Sequence, residues 1–238
     1  MPLNEKSHNT VVLIFADDAK NDARRKNLDA AKTAFDFLIE KTVSVVQQTG
    51  LPYILHTRDL QQGTTFGERY DHALQSAFDQ GYEKVVSIGT DTPALSATHL
   101  LQASQRISEG QVVLGKSHDG GFYLLGIDKY AFAKARQPHS HLDSFENLPW
   151  HSERVARALV RLLSQQRNTI FYLEKLHDLD AFEDFKKILD SGNLNCKITI
   201  DLFKSLIHIE NDLVISFSNF KKRTPLKILG NKGSPLAA

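Results

Sequence analysis

The chain has 238 residues, with 29 Lys and Arg against 28 Asp and Glu and a formal net charge of +1. This balance gives no reason to expect nucleic acid or an anionic membrane surface as the main partner. A single cysteine excludes an internal disulfide and a cysteine-rich zinc site. The polar start MPLNEKSHNT lacks the features of a signal peptide, and no run approaches the ~20 apolar residues of a membrane span. We therefore expect a soluble, cytoplasmic protein.

Short apolar runs alternate with longer segments of helical periodicity. The predicted strands are residues 11–15, 52–56, 85–88, 112–114, 122–125 and 169–173. The predicted helices are residues 28–48, 66–80, a segment after the N-cap Ser96, 151–166 and 181–189. This alternation predicts a three-layer α/β sandwich, in which helices cover both faces of a mostly parallel sheet. The fourth and fifth strands are too close for a helical crossover, so we expect a hairpin or a loop there and a mixed sheet.

The two ends of the chain differ in pattern. Residues 1–194 are predicted to form the α/β domain, with a loop at residues 136–149. Residues 195–238 form a C-terminal extension that contains strand-like residues and ends in a segment predicted to be mobile. The extension could add strands to a sheet edge or to a second subunit, which would make a homo-oligomer, or it could pack on its own domain.

Aspartates follow several of the predicted strands. Asp91 lies in GTDTPAL after the third strand, Asp119 lies in HDGG after the fourth, and Asp178 and Asp180 lie in HDLD after the sixth. Ligands of open α/β sheets bind beyond the carboxyl ends of the strands. Converging carboxylates suit a hard cation such as Mg²⁺ or Mn²⁺ that carries a phosphate group. A diphosphate neutralised by such an ion is a good leaving group.

Each of these aspartates also has a simpler explanation. Asp91 could cap the helix after Ser96 or stabilise the turn at the following proline. Asp119, with two glycines behind it, could belong to a tight turn. Asp178 and Asp180 could be N-terminal charges on the next helix. From these residues alone, both kinds of role stay open.

Five segments in order along the chain match the motifs of one known group. Residues 62–69 (QGTTFGER) correspond to Q-G-x-x-L-G-E-R, and residues 89–95 (GTDTPAL) correspond to G-S-D-x-P-x-L. Residues 113–126 match a V-x-G-P-x-x-D-G-G-Y-Y-L-x-G segment, residues 150–152 (WHS) a W-S-T helix start, and residues 178–185 a D-x-D-T-x-E-D-L segment. The chain thus resembles the nucleotide-diphospho-sugar transferase superfamily of GT-A fold. Within it, the chain is most similar to the bacterial radical-SAM/selenodomain-associated glycosyltransferases.

The resemblance implies a site. It assigns the metal of the nucleotide diphosphate to Asp91, with Asp180 or Asp178 completing the metal site, and it gives Asp91 and Asp119 catalytic roles. It places the glycine loop of residues 119–121 on the sugar or acceptor side. The substrate contacts that it implies are Gly67, Arg69, Thr90, Gly120 and Gly121, although a helix cap and an exposed ion pair would also explain residues 67–69.

One segment departs from the motifs of the group. Relatives follow the first strand with a basic glycine loop, F-A-K-x-P-x-x-G-x-x-K-T-R-L, which wraps the nucleotide phosphates. Residues 15–28 of this chain lack its Lys, Pro and Gly and contain Asp17 and Asp18 instead. Positive charge remains at Arg24, Arg25 and Lys26, which could hold an anion near a helix start or form a solvated basic face.

The resemblance implies two enzymatic functions, and the altered loop after the first strand and the C-terminal extension support a third, non-catalytic alternative. The first is a metal-dependent glycosyltransferase that uses a nucleotide-diphospho-sugar donor. The second is a nucleotidyltransferase on the same fold, which depends more strongly on the missing glycine loop. The third is a degenerate, non-catalytic member that binds a ligand or a partner.

Overall fold

A six-stranded mixed sheet organises the protein. The computed structural model describes residues 9–16, 32–137 and 144–179. The strands are β1 (Thr10–Phe15), β2 (Tyr53–His56), β3 (Lys84–Ile88), β4 (Val112–Lys116), β5 (Phe122–Asp128) and β6 (Ile170–Tyr172), in the order β2-β1-β3-β5-β4-β6. All neighbours are parallel except β5, which runs antiparallel to both β3 and β4. The predicted mixed, mostly parallel sheet is confirmed.

Five α-helices connect the strands in the part of the chain that the structure describes. They are α1 (Lys32–Gln47), α2 (Phe66–Asp79), α3 (Ala97–Ser108), α4 (Lys129–Arg136) and α5 (Val155–Gln165). Short 3-10 turns occupy Arg58–Leu60 and Phe145–Asn147. None of these helices combines the length and the apolar character that crossing a membrane would require.

Helices cover both faces of the sheet. Alternate residues of each strand point to opposite faces, so each buried strand has apolar side chains on both sides for the helices to cover. On β1, Val11 and Leu13 pack with α2, α4 and α5, whereas Val12 and Ile14 pack with α1 and α3. The predicted three-layer sandwich is therefore confirmed. The fully buried Phe78, Phe132 and Phe145 fill the first of these two layers.

Two local predictions from sequence needed correction. The helix expected from residue 151 begins at Val155. The helix Lys129–Arg136 was not predicted, and the segment expected to be a loop contains a 3-10 turn at Phe145–Asn147. The helix predicted at 181–189 and the extension at 195–238 lie outside the described residues, as does the start of the helix predicted from residue 28.

The topology brings distant segments to one edge of the sheet. β1, β3, β4 and β6 run in one direction, so their carboxyl ends lie at the same edge. The antiparallel β5 begins at that edge. The segments after β3, between β4 and β5, and after β6 are therefore neighbours, and they contain Asp91, Asp119 and Asp178.

A buried ion pair joins α2 to α4. The Asp71 carboxylate is 5% exposed and lies 3.0 Å from Nε of Arg136, whose side chain is 43% exposed. Burial raises the pKa of Asp71, and the Arg136 guanidinium opposes that rise. We expect Arg136→Met to lower the free energy of unfolding by about 1–3 kcal/mol at neutral pH, because it leaves a buried carboxylate without its cation. Urea denaturation measures this loss.

Two further measurements test whether the charge of Asp71 causes this loss of stability: its pH dependence and the stability of a double variant. The destabilisation by Arg136→Met should shrink as the pH falls and Asp71 becomes protonated, since a neutral carboxyl needs no cation. Asp71→Asn combined with Arg136→Met should be less destabilised than Arg136→Met alone. Equal losses at neutral and acidic pH would contradict the electrostatic explanation.

Candidate functional site

A cleft of about 510 Å³ opens at the edge where the strands β1, β3, β4 and β6 end. Its aromatic lining consists of Phe15, Phe66, Tyr70, Phe122, Tyr123 and Trp150. Its polar lining includes Asp91, Asp119, Glu153, Asp178, Arg69, Gln61, Ser87, Thr90, His151 and Ser152. The cleft thus has one acidic part and one aromatic part, and its volume suits a small-molecule ligand.

The acidic part is built around Asp91 and Asp178. The backbone N–H of Leu179 donates to the carbonyl oxygen of Asp91 at 2.9 Å, which fixes the two segments side by side. The hydroxyl of Thr92 donates to Oδ1 of Asp178 at 2.5 Å. Two carboxylates that are 87 residues apart in sequence therefore face one cleft.

The proximity of these carboxylates has an electrostatic consequence. Burial and then the charge of Asp91 raise the pKa of Asp178 to about 8, against the hydrogen bond from Thr92 that lowers it. The charge of Asp119 raises this pKa further, as the smallest of these contributions. Burial and the neighbouring carboxylate thus oppose the charged form of Asp178, which a bound cation would favour.

The glycine loop between β4 and β5 adds the third carboxylate. Oδ1 of Asp119 accepts a hydrogen bond from the backbone N–H of Gly121 at 2.9 Å, and the Asp119 side chain remains exposed. Gly120 has φ +97 and packs so closely on the start of α5 that a Cβ would lie 2.0 Å from the carbonyl oxygen of Glu153. The carbonyl of Gly120 also accepts from the N–H of Ala156. The loop is therefore anchored by Gly120 and presents Asp119 and Gly121 to the cleft.

Aromatic side chains form the opposite wall. Phe66 lies 5.2 Å from Trp150 and 5.6 Å from Phe15, measured between ring centroids. Tyr70 contacts Phe122 at 6.3 Å and Trp150 at 5.6 Å. Phe66 and Tyr70 are four residues apart on α2, so they share one face of that helix. The wall offers flat apolar surfaces beside the acidic part.

Arg69 is the only Lys or Arg that lines the cleft among the described residues. Its Nη1 donates to the carbonyl of Thr64 at 3.2 Å, and its guanidinium lies 6.0 Å from the ring centroid of Phe66. The start of α2 holds this position, because Thr65 and Glu68 form a reciprocal capping box. The helix cap expected at residues 67–69 is therefore present next to an arginine that faces the cleft.

The structure groups some of the residues implied by the resemblance and separates others. Thr90, Asp91, Asp119, Gly121, Arg69 and Asp178 line the cleft together. Gly67 lies beneath the wall, where a Cβ would meet the carbonyl oxygen of Glu146 and Nε1 of Trp150, and Gly120 lies behind its loop. Asp91 does not cap α3, whose N-cap is Ser96. The remaining predicted residues, Arg24, Arg25, Lys26 and Asp180, lie outside the described residues.

Sequence reasoning missed the aromatic wall and the segment at residues 151–153. Trp150 and His151 belong to the WHS segment that was matched only to a helix start, and both line the cleft. His151 has φ +60, a conformation that is uncommon outside glycine and often found at functional sites. The spacing of Phe66 and Tyr70 was the available signal, but the same spacing is typical of a helix face that packs on a core.

Few side chains of the cleft are placed to bind a metal ion. Within residues 9–16, 32–137 and 144–179, no three His, Cys, Asp or Glu side chains are grouped closely enough to hold a metal ion. Two oxygen donors, Asp91 and Asp178, do lie together. That is a sufficient protein contribution for Mg²⁺, which is commonly bound by one or two carboxylates and substrate phosphates.

Comparisons with known proteins agree with this architecture. The model of the DUF2064 family, described as an uncharacterized protein conserved in bacteria, matches residues 4–152. A candidate nucleotide-diphospho-sugar transferase from Desulfovibrio desulfuricans G20 superposes with a TM-score of 0.67 at 21% identity, over 88% of this chain and 98% of that one. The GT-A-like fold implied by the resemblance is confirmed. No protein with curated annotation matches the chain.

More distant structures share less of the fold. Rv0371c of Mycobacterium tuberculosis H37Rv in complex with manganese superposes with a TM-score of 0.39 at 12% identity, over 77% of this chain and 99% of that one. A homologue of Rv0371c from Mycobacterium sp. strain JC1 gives 0.43 at 12% identity, over 87% and 100% of the two chains.

The anchoring of the glycine loop can be tested with two matched glycines. Gly81 has φ +96 and no atom near its missing Cβ, whereas Gly120 has φ +97 and the Glu153 backbone at 2.0 Å. We expect Gly81→Ala to cost about 1 kcal/mol from backbone strain alone. Gly120→Ala should cost about 1–3 kcal/mol more, because α5 must move to admit the methyl group. Urea denaturation followed by the fluorescence of Trp150, the single tryptophan, measures both. Equal costs would contradict the close contact.

Proposed function

Since the chain belongs to the DUF2064 family and has a GT-A-like fold, we propose that it is a metal-dependent glycosyltransferase that uses a nucleotide-diphospho-sugar donor. The observation that supports this most is the pair of carboxylates, Asp91 and Asp178, in one cleft with an aromatic wall and an arginine. A cleft with both a cation-attracting part and a stacking surface suits a ligand that has phosphates at one end and flat rings beside them.

The donor chemistry fits a divalent ion. Asp91 and Asp178 would hold Mg²⁺ or Mn²⁺, which bind carboxylate and phosphate oxygens. When bound, the ion would neutralise the negative charge of the departing nucleoside diphosphate. Asp180, which follows in the same segment of sequence, is the candidate for a further ligand.

Other residues of the cleft would bind and orient the donor. The rings of Phe66 and Trp150 provide surfaces on which a base or a sugar ring can lie. Arg69, on the same side of the cleft, would pair with a phosphate oxygen. These contacts would hold the anomeric carbon of the donor within reach of an acceptor hydroxyl.

Asp119 is the candidate general base of the transfer. Its carboxylate is exposed at the cleft, and Oδ1 accepts the hydrogen bond from the backbone N–H of Gly121. The acceptor oxygen would attack the anomeric carbon while the bond from that carbon to the diphosphate oxygen breaks. The bonding electrons would leave with the nucleoside diphosphate, and the acceptor proton would pass to Asp119.

A thermal shift experiment tests the donor and the metal together. We expect UDP- or GDP-sugars with Mn²⁺ or Mg²⁺ to raise the melting temperature by about 5–10 °C at 100-fold excess over Kd, and to do so much less without the ion. Asp91→Asn should abolish the metal-dependent part, because it removes one of two carboxylate ligands. Asp59→Asn, at an exposed position outside the cleft, should leave it unchanged.

The pattern of responses separates the alternatives. Stabilisation by nucleoside triphosphates, with none by nucleotide sugars, would overturn glycosyl transfer in favour of nucleotidyl transfer. A protein that responds to no nucleotide with either ion would refute the transferase proposal and favour a non-catalytic binding role.

Arg69 allows a second, independent test of donor binding. We expect Arg69→Gln to weaken nucleotide-sugar binding about 10- to 100-fold, since a charge-assisted hydrogen bond is worth about 1.5–3 kcal/mol. Affinity for Mn²⁺ alone should stay unchanged, because Arg69 is not among the proposed ligands. Titration calorimetry measures both, with Arg157→Gln as the control at an exposed position of α5. Unchanged nucleotide affinity would rule out a phosphate contact by Arg69.

A further inference from the structure

The segment after β6 contains Asp178 yet has no regular secondary structure in its described part, residues 173–179, except a single bridge at Leu176. Backbone bonds hold its later part: Leu176 N–H donates to the carbonyl of Lys116, and Leu179 N–H donates to that of Asp91. The beginning of the segment is held differently. There the side chains of Tyr123 and His99 bind Glu174. The position of Asp178 therefore depends partly on His99, whose side chain does not line the cleft.

His99 connects the two segments that contain the acidic pair. It lies in the first turn of α3, which begins six residues after Asp91, and Glu174 lies four residues before Asp178. Its Nε2 is 2.8 Å from Oε1 of Glu174. Its Nδ1 accepts a hydrogen bond from the backbone N–H of Ser96 at 3.1 Å. His99 thus connects the start of α3 to the segment that follows β6.

The two contacts of His99 define its tautomer. A backbone N–H can only donate, so Nδ1 must be the unprotonated nitrogen. The ring proton therefore lies on Nε2 and is donated to the carboxylate of Glu174. The ring of His99 also meets Tyr123 edge-on, with centroids 6.2 Å apart, and the Tyr123 hydroxyl donates to the carbonyl of Glu174 at 2.9 Å. Glu174 is thus held by both its side chain and its backbone.

We propose that His99 is a positioning residue for the acidic pair: by binding Ser96 and Glu174 together, it sets the separation of Asp91 and Asp178. This inference rests on the proposed function, since it concerns the metal affinity of that pair. Ser96, His99 and Glu174 do not line the cleft, so they do not touch the substrate. Removing a group that is hydrogen-bonded directly to a metal ligand typically changes metal affinity about 10- to 100-fold. His99 acts through Glu174 and the backbone, so we expect an effect at the lower end of that range.

Exposure distinguishes this role from simple stabilisation. The side chain of Glu174 is 69% exposed, and a hydrogen bond to a carboxylate that water can solvate instead contributes little to folding stability. Loss of the Glu174 contact should therefore barely change the melting temperature. If it nevertheless lowers metal affinity, the contact acts on the geometry of the acidic pair.

The experiment measures Mn²⁺ binding by titration calorimetry, with and without UDP, and melting temperature by thermal denaturation, on the full chain. His99→Asn keeps an acceptor near the position of Nδ1 for the Ser96 N–H but removes the donor to Glu174. We expect it to weaken Mn²⁺ binding about tenfold, as should Glu174→Ala, and Glu174→Ala should keep a melting temperature within about 2 °C of the original protein because Glu174 is exposed. His99→Gln places a donor near the position of Nε2 and should retain most of the affinity.

Two further variants control the result. Glu109→Ala removes an exposed glutamate that is paired with Arg106 at the other end of α3, and it should leave Mn²⁺ affinity unchanged. Combining His99→Asn with Glu174→Ala should weaken binding no more than either change alone, because both break one contact.

The outcomes separate this inference from the function on which it rests. If the original protein binds Mn²⁺ neither alone nor with UDP present, the proposed function fails and the inference fails with it. If the original protein binds Mn²⁺ and both His99→Asn and Glu174→Ala bind it equally well, only the positioning role is overturned. A tenfold loss in His99→Asn with none in Glu174→Ala would also overturn it, and would assign the effect to the helix cap.

Discussion

The repulsion between the carboxylates of Asp91 and Asp178 is the constraint around which this edge of the sheet is organised. Two like charges in a partly desolvated position oppose folding, and the raised pKa of Asp178 expresses that opposition. The backbone bond from Leu179 to Asp91 and the Thr92 hydrogen bond nevertheless hold the pair together. A turn or a helix cap would require neither the second carboxylate nor its burial, whereas a cation would remove the repulsion.

The direction of β5 decides which residues can meet this pair. If the strand after β4 were parallel, it would begin at the opposite edge, and the glycine loop could not return directly into the cleft. Because β5 is antiparallel, Gly121 and Phe122 begin where β3 and β4 end. One short loop therefore supplies both an acidic and an aromatic residue to the cleft, and its close contact with Glu153 fixes it against α5.

The sequence predicted what depends on local pattern and missed what depends on contacts between distant segments. The strands, the cap at Ser96 and the end of α2 before Gly81 follow from residue patterns that act over a few positions. The helix α4 has only eight residues and no long apolar stripe, so its N-cap, Asp128, was the one clear signal. The sequence could not show whether Phe66 and Tyr70 belong to the core or to a binding site. In the structure they do both, since they pack on Phe15 and also line the cleft.

Two glycines give the acidic part its accessibility. A Cβ at Gly89 would lie 3.0 Å from Oδ1 of Asp91, and a Cβ at Gly121 would lie 3.2 Å from Oδ1 of Asp119. Neither glycine has the positive φ that would require it for backbone reasons. Side chains at these positions would crowd both carboxylates. The absence of a side chain beside each aspartate therefore leaves room next to its oxygens, which the proposed site for an ion and a reacting hydroxyl would need and a purely structural turn would not.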